Sequence, residues 1–70
     1  MDVEEMGKTL RFRRELPGLR QRDLSEITGV RSRTIFMIEH GRGNPSVKTL
    51  EKLAMALGME FQLQVKKSIS

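Results

Sequence analysis

Seventy residues with no cysteine form one domain at the small end of what folds unaided, and they exclude disulfides and thiolate metal sites. A lone histidine, His40, cannot build a zinc site, so no cofactor or metal is expected. The formal charge of +4 points to a polyanionic partner, while three Phe with no Tyr or Trp leave out the stacking platforms of single-strand binders.

The chain opens on Met1-Asp2-Val3-Glu4-Glu5, acidic where a signal peptide would be basic and then apolar. Val3, Met6 and Leu10 follow at helical spacing, and Leu16 before Pro17-Gly18 marks the stop. A second helix is predicted over about Gln21 to Thr28, with Leu24 and Ile27 on one face and Gly29 placed to end it in a left-handed conformation. The third, about Ser32 to His40, is anchored by Ile35 and Ile38 and stops at Gly41. Its apolar run Ile35-Phe36-Met37-Ile38 is far too short to cross a membrane, so a cytoplasmic protein with no membrane partner is expected. After Gly43-Asn44-Pro45, Ser46 is a plausible N-cap, and Val47, Leu50, Leu53, Ala54 and Leu57 form a 3.6-period stripe that Gly58 ends.

The period then changes. Met59-Glu60-Phe61-Gln62-Leu63-Gln64-Val65-Lys66 alternates apolar and polar residues, the pattern of a half-buried strand. A single strand cannot satisfy its own ladder. The reading that follows is antiparallel pairing with the same strand of a second copy about a two-fold axis, with Met59, Phe61, Leu63 and Val65 at the dimer interface. The alternative is an extended tail that covers the helical core. The expected division is thus a helical domain over residues 1–58 and a dimerisation strand and tail over residues 59–70. A second copy would also add buried surface to a core that supplies only about 3–5 kcal/mol by itself.

The second and third helices carry the chemistry. Two short helices cross steeply over a tight turn only if the contact residue on the first is small, as Ser25 is. Leu24, Val30, Ile35 and Ile38 would lock the pair to the rest of the domain. The third helix is then free to project Arg31, Ser32, Arg33 and Met37 into a major groove. All eight arginines (11, 13, 14, 20, 22, 31, 33 and 42) fall in or just before this middle third, and the guanidinium fork suits phosphates and guanine edges. No nucleophile–base constellation, phosphate-cradling glycine loop or metal-ligand spacing is present, so no enzyme is expected.

Leu19-x-Gln21-x-x-Leu24-Ser25, then Gly29-Val30-x-Ser32-x-Thr34-Ile35-x-x-Ile38-Glu39-x-Gly41, resembles the phage-repressor helix-turn-helix family, called Xre or Cro-like. Asn44-Pro45-Ser46 and Leu50-x-x-Leu53-Ala54-x-Ala56-Leu57-Gly58 resemble that family's next helix. The resemblance implies an all-α, lambda-repressor-like domain of four to five short helices. Thr28 and Arg13 stand where the family is usually apolar, and Phe36 and Met37 where it is usually polar. Arg20 and Arg31 replace the usual Ser or Thr caps, at about 1 kcal/mol each, with Ser32 placed to cap one residue later.

By the same resemblance, Arg33 is the lead candidate for a bidentate guanine contact, with Arg31, Ser32, Thr34 and Met37 beside it. Met37 would touch a thymine methyl or pack at the core's edge. Gln21 would bond phosphate and brace the third helix, and Arg42, Lys48 and Thr49 would contact phosphates. Arg14 and Glu39 occupy positions that commonly form a structural ion pair. Phe36 reads as an exposed packing or partner residue, and His40 as a helix-end residue favoured by the dipole. The implied function is a homodimeric, sequence-specific regulator of transcription on double-stranded DNA, a repressor on a pseudo-palindromic operator. The alternating tail also resembles the HipB-type antitoxins, which implies the alternative of an antitoxin that neutralises a kinase-type toxin and regulates its own operon.

Overall fold

The computed structural model describes residues 3–60. Four helices follow one another, α1 (Val3–Glu15), α2 (Gln21–Thr28), α3 (Ser32–Glu39) and α4 (Val47–Ala56), and no strand occurs among the described residues. The expected strand residues Phe61, Leu63 and Val65 lie outside them. No described helix is long and apolar enough to cross a membrane, and no described group of side chains could hold a metal ion.

Each helix end has a local cause. Glu4 and Glu5 sit in the first turn of α1 and Arg13 and Arg14 in its last, the arrangement the helix dipole favours. At the start of α2 the Arg20 side chain caps nothing, but Asp23 Oδ2 accepts from the Arg20 backbone N–H at 2.8 Å, which replaces part of the missing cap. Gly29 ends α2 with φ of 80°, its N–H donating to Ser25 O at 2.8 Å; a side chain there would be strained. Thr28 Oγ1 donates to Leu24 O at 2.8 Å and accepts from Val30 N at 3.1 Å. A hydroxyl in place of an apolar group thus stitches the turn from both sides. Arg31 opens α3 with no side-chain cap, whereas Ser46 Oγ accepts from Thr49 N at 3.1 Å and caps α4.

The core is Leu10, Leu24, Val30, Ile35, Ile38, Leu50 and Leu53, with Met6, Leu57 and Met59 packed on its edge. Leu24, Ile35, Ile38 and Leu53 are almost wholly inaccessible. α3 is central, packed by α1 on one side and α2 on another, and α2 also rests on α4. Gly7 makes the α1–α3 approach possible, because a Cβ there would overlap the Ile38 carbonyl. Val3, in the first turn of α1, is 45% exposed, and two residues expected on the stripes of α2 and α4 are also not buried: Ile27 is 61% and Val47 51% exposed. Each lies three residues, or about 60° of rotation, from its buried partner, Leu24 or Leu50. In helices of two to three turns that rotation is enough to leave them in solvent. Met59, expected at the dimer interface, instead donates its N–H to Ala54 O at 2.8 Å and packs on the core of its own chain.

Candidate nucleic-acid interface

The helix pair is held by a buried polar network. Arg14 Nε donates to Glu39 Oε2 at 2.7 Å and Nη2 to Oε1 at 2.9 Å, a bidentate fork, while Nη1 donates to Leu19 O at 2.7 Å. Gln21 Nε2 donates to Glu39 Oε1 at 3.0 Å. The two charges are almost completely removed from solvent, and no buried side-chain polar atom among the described residues lacks a hydrogen-bond partner. The hydrogen bond to Glu39 holds the Arg14 pKa above its ordinary value, against the opposing effect of burial. One network therefore joins the end of α1, the loop after it, the first residue of α2 and the last of α3.

With Ile35, Ile38 and Glu39 turned inward, α3 presents its remaining face to solvent. Arg33 is exposed, Ser32, Thr34 and Met37 are half-buried, and Phe36 is 43% exposed. A concavity of about 260 Å³ lies between α3 and the loop to α4, lined by Arg33, Thr34, Met37, Arg42, Asn44 and Pro45 among others. Arg42 N donates to Met37 O at 2.8 Å, which fixes the loop against the helix. Arg31, Arg33, Arg42 and Lys48 are all exposed, and none pairs with a carboxylate among the described residues.

Of the nine residues expected to touch nucleic acid, the structure gathers Arg33, Thr34, Met37 and Arg42 around that concavity. Arg31 and Ser32 stand at the start of α3, and Lys48 and Thr49 in the first turn of α4. Thr49 is already engaged, its N–H and Oγ1 both meeting Ser46 Oγ. Gln21 is engaged too, with its amide on Glu39, so its bracing contact is made inside the protein. His40 Nδ1 lies 2.8 Å from Phe36 O, and the two rings are 4.1 Å apart at 31°. Pattern reading overlooked Gly7. Its signal is that a glycine falls in the stripe with Val3, Leu10 and Arg14, where a side chain would otherwise meet the neighbouring helix.

A family model described as helix-turn-helix matches residues 10–64. An uncharacterised HTH-type transcriptional regulator of Methanocaldococcus jannaschii is 37% identical over 57 residues, 81% of this chain and 86% of that protein. A second, from Methanothermobacter thermautotrophicus, is 40% identical over 55 residues, 79% of this chain and 80% of its own length. Among solved structures, the restriction-modification controller protein C.AhdI from Aeromonas hydrophila superposes with a TM-score of 0.78 at 34% identity, covering 84% of this chain and 89% of that one.

Proposed function

The chain belongs to the Xre/Cro-like helix-turn-helix family of DNA-binding transcriptional regulators, and from that premise we propose that it is a sequence-specific repressor acting as a homodimer. The observation that carries this is the pair Arg33 and Arg42, two exposed guanidinium groups at one concavity beside the free face of α3, without a carboxylate partner among the described residues. A helix whose other faces are buried and braced, and whose open face holds uncompensated arginine, suits insertion into a major groove.

In this reading Arg33 bonds the O6 and N7 of a guanine, and Arg31, Ser32, Thr34 and Met37 complete the base-facing surface. Arg42 and Lys48 meet phosphates, which set register without reading sequence. Gln21 and Thr49 use their protein-facing atoms for bracing and capping and offer what remains to the backbone. The second copy docks through the alternating tail, with Phe61, Leu63 and Val65 as the apolar side of the strand, so that two recognition helices fall about 34–36 Å apart on one face of the duplex. Binding over a promoter then blocks transcription.

No described residue favours an antitoxin over a plain regulator, and the tail that suggested one lies almost wholly outside the described residues. Fluorescence anisotropy with the promoter of its own gene and with a random duplex tests the proposal. A preference of about 10³-fold or more is expected, and equal affinity would overturn it.

A further inference from the structure

We propose that Arg33 and Met37 together read a 5-methylpyrimidine–guanine step, so that the protein senses the methyl group on the pyrimidine next to a guanine. The inference deepens the proposed function and rests on α3 being the recognition helix. Bases are told apart in the major groove by Asn or Gln on adenine, Asp or Glu on the cytosine amine, Arg or Lys on guanine, and apolar groups on a methyl. α3 has no Asn or Gln, and its one carboxylate, Glu39, is buried and committed to Arg14 and Gln21. Ser32 and Thr34 carry hydroxyls that suit any base, so the discriminating groups that remain are a guanine reader and a methyl reader.

Geometry places the two side by side. Arg33 and Met37 are one helical turn apart, which puts their Cβ atoms about 5–6 Å from each other on the same face, and both line the concavity between α3 and the following loop. Neighbouring bases on a strand are separated by about 3.4 Å along the axis, so side chains that diverge little from this spacing meet adjacent bases. Met37 is held for the task. Its carbonyl accepts from Arg42 N at 2.8 Å, and the backbone of Gly43 backs its side chain, with a Cβ there falling 3.6 Å from Met37 Cβ. Unlike Ile38, which is 1% exposed, Met37 is only half-buried. Its flexible thioether can close over a methyl group.

The shared chemistry is a pyrimidine C5-methyl, supplied by thymine or by 5-methylcytosine, and the experiment separates the two. The intact protein is first used to select its preferred duplex from a random pool. Each thymine in the selected site is then replaced singly by deoxyuridine, which removes only the methyl. The thymine before the Arg33-dependent guanine is also replaced by cytosine and by 5-methylcytosine. Loss of one buried methyl is expected to weaken binding about fourfold at that step and little elsewhere, with 5-methylcytosine tighter than cytosine by a similar factor. M37Q, of similar length without the apolar end, is expected to bind the thymine and uridine duplexes equally while keeping the guanine preference that R33A loses. A selected site without a pyrimidine–guanine step, or equal binding of thymine and uridine duplexes by the unaltered protein, would overturn the proposal and leave sequence-specific binding intact. Discrimination that persists in M37Q would overturn it as well. A selection that returns no preferred sequence would instead overturn the repressor reading, and this inference with it.

Discussion

Gln21 Nε2 and Glu39 Oε1 are 3.0 Å apart, so the residue that opens α2 and the carboxylate that closes α3 form one hydrogen-bonded unit, with Arg14 on the other side. Removing Glu39 strands a buried guanidinium and an amide together. Glu39→Ala is expected to cost about 3–5 kcal/mol, the usual penalty for an orphaned buried charge. In a domain of this size that lowers the melting temperature by roughly 12 °C or more, read by circular dichroism. An unchanged melt would show that the network contributes nothing to stability. Glu39→Gln keeps an acceptor for Gln21 and should fall between the two.

Arg14 gives the same network a pH signature. Its folded pKa is raised above the ordinary arginine value, first by the hydrogen bond it donates to Glu39. A cation whose pKa rises on folding stabilises fully below its unfolded value and loses that stabilisation only as pH climbs through the folded one. Arg14's contribution should therefore be constant from pH 7 to about 10, where arginine stays charged. Arg14→Lys cannot make the bidentate fork and still reach Leu19 O. It should melt lower at pH 7 and lose further stability towards pH 10, where an ammonium titrates. Parallel melting curves for the two proteins across that range would contradict this.

Gly7 and Ile38 are where α1 comes so close to α3 that no side chain fits between them. A methyl group at Gly7 would meet the Ile38 carbonyl and the backbone of Glu39, atoms that cannot rotate away. Alanine would improve helix propensity by about 1 kcal/mol, but overpacking against backbone costs about 1–3 kcal/mol. Gly7→Ala is expected to lower stability in chemical denaturation despite the propensity gain. Gly18→Ala, with nothing within 4 Å of its Cβ but φ of 84°, serves as the control for backbone strain alone.

Gly7 also shows where sequence reading ran short. The four helices were legible because Pro17-Gly18, Gly29 and the Gly41–Pro45 loop interrupt a regular 3.6-residue pattern. The same pattern cannot say how closely two helices approach, since a glycine in a helix registers as a missing side chain and not as a contact. Nor can it resolve rotation of about 60° in two turns, which is why Ile27 and Val47 were grouped with buried neighbours. Arg14 and Glu39 are 25 residues apart, and nothing periodic connects them; only likeness to a family suggested the pair. The exposed face of α3 was legible as the complement of Ile35 and Ile38. The inward turn of the Gln21 amide was not, because a glutamine at a helix start is equally suited to a phosphate and to a carboxylate.

Base and phosphate contacts should separate under salt. Lys48→Ala removes one phosphate contact, so binding should weaken alike for all sequences and the slope of log K against log salt should fall by about 0.9. Arg33→Ala removes a base contact and should cost about 1–3 kcal/mol on the preferred duplex while relaxing the preference at a single position. Anisotropy titrations of both variants at several salt concentrations distinguish these outcomes. If Arg33→Ala weakens specific and random duplexes equally, Arg33 is a phosphate contact.

The position of Met59 determines how the dimer should be tested. A chain cut after Gly58 would lose Met59, whose N–H meets Ala54 O and whose side chain packs on the core. Such a chain could fail by unfolding as well as by losing its partner. Ending the chain at Glu60 keeps that contact and removes only Phe61 to Ser70. The helical unit should then retain its circular dichroism spectrum, while sedimentation velocity shows the intact chain as a dimer and the shortened chain as a monomer. Operator affinity should fall at least tenfold, since two half-sites would no longer be held by one linked unit. A shortened chain that still sediments as a dimer would move the interface onto residues 3–60, where Phe12, Leu16, Ile27 and Met55 are the most exposed large apolar side chains.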